Sequence, residues 1–432
     1  MSKRRVRLLA GLCVAWARLV YAPELCAQAN AQSYPVGERA TGMGGAFTAL
    51  ADDASGAWYN PAGLAFAQDD SVSVGADLYG VVSARYPRAL GPLLDYSYDS
   101  LNIIPSTVAS LVHLGEARVG PRRLRPWALA INLYNPSTYQ LDRRVSSASG
   151  DTTLFVSTSD RLIVAGPSLA WRVDERLGLG LALLGTLHTH YDRVDLSDLR
   201  EDGFVQFTSS LDTVSAGLGA QIGARYALRP SVSLGISVRS PTWSLFSVGE
   251  SFDRTVRLRA GMPDQIQNSV RQVETRRLLP ALVRMGVAYQ SARGTVLAID
   301  TSVSLPMRYE ALRSRDGRTR EENTLNAVCN VALGFEQALN ARWGLRGGLY
   351  TDISAAGTPL VDGNRLDQVD NVGATFATTF RSGGGSSTLG LVGVLGRARV
   401  LGIDVSGGTY DPFITDGTQW RLYLVWASST KI

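Results

Sequence analysis

Alternation with a period of two runs through most of this chain, and it constrains the fold more than any other feature. In residues 231–240, Val232, Leu234, Ile236 and Val238 alternate with Ser233, Gly235, Ser237 and Arg239. Residues 177–191 set Leu177, Leu179, Leu181, Leu183 and Leu187 against Gly178, Gly180, Thr186, His188 and His190. Residues 295–309 set Leu297, Ile299, Val303, Leu305 and Met307 against Asp300, Ser302, Ser304 and Arg308. Residues 279–290 set Leu279, Val283, Met285, Val287 and Tyr289 against Arg284, Gly286 and Gln290. Residues 324–336 set Leu325, Ala327, Cys329, Val331, Leu333 and Phe335 against Asn326, Asn330, Gly334 and Glu336. Successive side chains of a strand point to opposite faces. Each segment therefore predicts a strand with one greasy face and one small, polar or charged face.

A soluble sandwich would bury the greasy face between two sheets, whereas a membrane barrel turns it outward. Three features favour the barrel. The apolar faces run for about nine to a dozen residues, close to the length a tilted transmembrane strand requires. The segments recur along nearly the whole chain, without intervening helices to cover an open sheet. Aromatic residues such as Trp127, Trp171, Tyr226, Tyr289, Trp343 and Trp426 fall toward strand ends, as interfacial girdles do. Short links (174–176, 291–293, 340–341) alternate with long polar ones (192–203, 249–274, 402–417), and 115–125 is an unusually long member of the short set. The expectation is an all-β fold: a transmembrane antiparallel β-barrel of about 14 strands, an even number as bacterial barrels have.

Composition removes other classes. No later segment has the roughly 20 consecutive apolar residues of a membrane helix. Glycine (44) outnumbers proline (17), and only 19% of residues are charged, which suits a sheet-rich chain. The net charge of +5 raises nucleic acid as a partner, but the arginines do not cluster with stacking aromatics, so none is expected. At the N-terminus, Lys3, Arg4, Arg5 and Arg7 precede a short apolar run over 8–17. Small-x-small sites follow at Ala27-Gln28-Ala29 and Ala29-Asn30-Ala31, so residues 1–31 read as a cleaved secretory signal. Removing them leaves Cys329 alone, without a disulfide partner.

Residues 37–65 carry a glycine cluster (Gly42, Gly44, Gly45), an acidic pair (Asp52, Asp53), then Trp58-Tyr59-Asn60-Pro61-Ala62-Gly63-Leu64. A phosphate loop would need a preceding strand and a following helix in a βα pattern, and none is present. Glycine instead lets backbone pass close to a wall, and an Asn-Pro pair builds a turn. In this order and position the segment resembles the N-terminal hatch of the FadL-type outer-membrane proteins. The resemblance implies a hatch (32–69) plugging the lumen of a barrel (70–432), with Gly42, Gly44, Gly45, Asp52, Asp53, Asn60, Pro61, Ala62 and Gly63 as its gating residues. It implies uptake of hydrophobic small molecules, long-chain fatty acids or hydrocarbons, by passive diffusion with a lateral exit. The location implied is the bacterial outer membrane, with lipid, the hydrophobic ligand and the barrel-assembly machinery as partners. PorV-type barrels share this pattern, so the alternative is a non-transporting anchor for a secreted protein.

Proline cannot donate to a ladder, which makes Pro167, Pro280 and Pro306 the candidate strand kinks. Arg239, Arg284, Arg308 and Arg346 fall on polar faces, where they would meet a ligand carboxylate or pair with acids such as Asp300, Glu336 and Asp352. His188 and His190 share a face, but the sequence offers no third ligand, so they read as polar lining and no metal is expected. The chain holds three histidines and no motif pairing one with a nucleophilic serine. No enzymatic activity and no cofactor are expected.

Overall fold

The alternating segments pair edge to edge into one wall. The computed structural model describes residues 30, 34–91, 95–115, 117–119, 122–124, 126–146, 150–201, 203–359, 366–403 and 412–432. Apart from residue 30, the expected leader lies outside the described residues. Six strands come first: β1 (Ser71–Tyr86), β2 (Tyr96–Leu114), β3 (Trp127–Ser146), β4 (Thr152–Arg172), β5 (Leu177–Arg200) and β6 (Gly203–Arg229). Four strands in two pieces follow. They are β7 (Val232–Arg239 and Trp243–Arg259), β8 (Gln265–Thr275 and Leu282–Gln290), β9 (Thr295–Ser304 and Met307–Ser314) and β10 (Arg320–Leu325 and Val328–Ala338). The last are β11 (Trp343–Asp352), β12 (Gln368–Ser382), β13 (Gly385–Ile403) and β14 (Pro412–Lys431).

Every neighbour pair is antiparallel, and β14 returns to β1, with Ser71 opposite Lys431. The result is a closed antiparallel barrel of fourteen strands, as the sequence predicts. Closure pairs the first strand with the last, so neither presents a free edge. A small hairpin, Ala117–Val119 against Arg122–Leu124, extends the β2–β3 turn.

The faces are inverted relative to a soluble protein. On β7, Ser237 and Arg239 are buried, while Leu234, Ile236 and Val238 stand exposed on the outer surface. Ile131, Leu181, Met285, Leu333 and Leu391 continue this apolar belt. At the short-turn end Trp127 stacks on Trp171 with centroids 5.7 Å apart, and Trp343 meets Phe380 at 5.1 Å. Greasy side chains outward, with aromatics toward the strand ends, suit a wall bathed in lipid.

The alternation fails along one line. Among the described residues β7 to β10 are interrupted side by side: at Ser240-Pro241-Thr242, at 276–281, at Leu305-Pro306 and at Asn326-Ala327. Three sequence expectations change here. Leu279 and Leu325, expected on the outer face, are buried inside at 4% and 5% exposure. Arg308, expected in the lumen, is exposed and pairs with Glu322. Pro306 has no N–H to give the ladder, and the strand resumes with its parity shifted. Ser302 and Ser304 line the interior before the break, Tyr309 and Ala311 after it.

Candidate functional site: the luminal segment and its cavity

Residues 34–67 lie inside the barrel, and nearly all are buried. The segment contains one short helix (Glu38–Gly42) and two 3-10 turns (Ala54–Trp58 and Pro61–Phe66). So little regular structure leaves many backbone groups without internal partners, and buried backbone groups need them. The wall supplies several. Asp300 of β9 accepts from the amides of Phe47 and Thr48 at 2.8 and 2.7 Å. Arg284 of β8 donates to the Trp58 carbonyl at 2.6 Å, and Arg225 of β6 to the Ala49 carbonyl at 2.8 Å.

Asn60 joins segment and wall. Its Oδ1 accepts from the Ala62 amide at 3.1 Å, which shapes the turn that Pro61 opens. Its Nδ2 donates to Thr48 at 2.9 Å and to Ala224 of β6 at 3.0 Å. Gly63 packs on Ala51 so closely that a Cβ would lie 2.4 Å from the alanine's own. Gly42 faces Arg346 and Ala377, and Gly45 faces Pro35. Gly44 adopts φ +63° against the backbone of Gly348 and Leu349 in β11, a conformation and an approach that favour glycine.

Charges at the helix form a chain. Arg39 bridges Asp52 at 2.6 Å and Glu336 of β10 at 2.7 Å. Glu336 also accepts from Arg381 at 2.7 Å and lies 3.5 Å from Arg346. Glu38 accepts from Thr388 at 2.7 Å. Asp53 accepts from the Ser55 hydroxyl at 2.7 Å, and burial pushes its carboxyl up to about 6. Of the sequence-selected arginines, Arg239 lies over the Trp58 ring at 5.1 Å and Arg346 serves the charge chain. Arg284 both holds the segment and lines a cavity.

That cavity, about 170 Å³, lies between the segment and the interrupted side of the wall. Gly44, Gly45 and Tyr59 contribute from the segment. Leu211, Leu282, Ala311, Leu325, Val328 and Leu366 give it an apolar side. Residues 276–281 turn inward here, where Leu279 packs and Pro280 borders the space. Arg277 reaches across to Asp160 on β4, beside His188 and His190 of β5. The lining extends to Val331, exposed on the outer face. Pro306 sits in the neighbouring break, whereas Pro167 lies exposed within β4 at an irregularity in its pairing with β5. Sequence reasoning missed Asp160 and Arg277. On β4 the inward positions include Leu162 and Val164, which blurs the polar face, and Arg277 lies in a stretch that leaves the wall.

No protein-family profile matches the chain, and no curated protein matches it by sequence. Solved structures do match. A FadL homologue of Pseudomonas aeruginosa aligns with TM-score 0.63 at 12% identity, over 94% of this chain and all of that one. The toluene transporter TodX of P. putida aligns with TM-score 0.62 at 14% identity, over 92% and 99%. The toluene transporter TbuX of Ralstonia pickettii gives 0.56 at 13%, over 92% and 98%. At such identities the likeness speaks to architecture, and over nearly its whole length the chain has the fold of the FadL-type proteins.

Proposed function

We propose that this barrel is an outer-membrane channel for hydrophobic small molecules, with residues 34–67 acting as its hatch. The observation that carries the reading is the cavity on the interrupted side of the wall. A closed barrel has no structural need for a chamber with an apolar side beside four broken strands. Between β8 and β9 regular pairing is missing over Arg277 to Pro280, which gives a ligand a lateral way into lipid. A greasy solute gains from that route, since each methylene kept from water is worth about 0.8 kcal/mol.

The volume favours a substrate class. An engineered apolar cavity of about 150 Å³ holds benzene, so this chamber suits a single aromatic ring or a short hydrocarbon. A long acyl chain would need the hatch to move. Toluene transport is also the role named for TodX and TbuX, whose fold the chain shares. Anchoring of a secreted protein would call for no such chamber.

The test is uptake of labelled toluene and of labelled palmitate by cells lacking their own channels. The barrel should raise toluene entry several-fold. Ser302→Trp, which fills the chamber, should remove that gain while keeping the heat-dependent gel mobility of a folded barrel. Unchanged uptake in the variant would overturn the route, and no uptake by the parent would overturn the function.

A further inference from the structure

We propose that Asp160, His188 and His190 form a binding site for a first-row divalent metal ion in the cavity wall. The period of two puts both histidines on the inner face of β5, and the β4–β5 register sets Asp160 opposite His190. The imidazoles stack with centroids 6.0 Å apart. His188 Nε2 lies 2.8 Å and His190 Nδ1 3.2 Å from the same carboxylate atom, Asp160 Oδ2. One donor atom from each residue falls within 4.8 Å of the others. All three residues are more than nine-tenths buried, at 6%, 8% and 8% exposure.

The surroundings suit a metal better than they suit mere polar filler. Arg277 holds the other oxygen of Asp160, leaving Oδ2 aimed at the imidazoles, as outer-shell partners orient a ligating carboxylate. Asp192, on the same face of β5, is buried and held by the Thr158 hydroxyl at 2.6 Å, so a second carboxylate offsets the added charge. Two imidazoles and one carboxylate form the three-ligand set of open zinc sites, with bond lengths of about 2.0–2.2 Å. Imidazole nitrogen also accepts copper and nickel. Small ring rotations would open these contacts to the roughly 3.3–3.5 Å that separates two ligand atoms on one ion, with the Asp160–Arg277 pair kept.

This inference is independent of the uptake reading, because binding is measured without transport. The full barrel is purified without a polyhistidine tag and titrated with Co²⁺, followed by its visible d–d absorption. One saturable site per chain is expected, displaced by Zn²⁺, lost in His188→Gln and Asp160→Asn, and kept in His113→Gln. His113 serves as the control because it pairs with Asp70 instead. The variants are compared only where gel mobility shows a folded barrel. Absence of a saturable band in the parent overturns the proposal, as does a band that survives His188→Gln or is lost only in His113→Gln.

Discussion

At the scale of the residue, Asn60 and Asp53 carry the clearest consequences. Asn60 is fully buried and makes three hydrogen bonds, two of them as donor. Asn60→Ala should weaken docking of residues 46–62 by about 1–3 kcal/mol, because the freed carbonyls lose a buried partner. Hydrogen exchange of those amides should accelerate to match, with the strand amides unchanged. For Asp53, burial lifts the carboxyl from an ordinary 3.8 to about 6, so the folded state holds this proton more tightly than the unfolded chain. The folded state then loses stability as pH rises from about 4 to about 6. Asp53→Asn should therefore melt above the parent at pH 7, by an amount of order 1 kcal/mol, and the difference should vanish near pH 4.

At the scale of the element, the contact of the luminal segment with β11 is decided by backbone rather than by side chains. A Cβ on Gly348 would lie 2.3 Å from the Gly44 nitrogen. Gly348→Val should lift the 43–45 turn from the wall and expose Arg39 to trypsin, while the barrel keeps its folded gel mobility. The glycines were legible as close approaches, since a cluster of them in a short segment has few other uses. The wall each approaches was not, because nothing local to Gly44 points to residue 348. The strand breaks show the same divide. Pro306 announces one interruption, but Leu325 and Phe335 read as ends of a single greasy face although Asn326-Ala327 parts them.

At the scale of the molecule, the ladder closes through β1 and β14 without help from the segment. Deleting residues 34–67 should leave a folded barrel with a wide aqueous lumen. In planar bilayers the parent should show little steady conductance and the deletion a large one. Equal conductance would mean that the segment does not seal the pore.

By itself the sequence determined the wall. Alternation is local, and a surface facing lipid demands it at nearly every strand, so strand number, outward face and aromatic ends could be read in advance. Only the tertiary structure decided what the interior does. Arg277 meets Asp160 across 117 positions, and Arg39 meets Glu336 across 297. Such partners converge because the barrel curves back on itself, a closure set by all fourteen strands together and visible in no single segment.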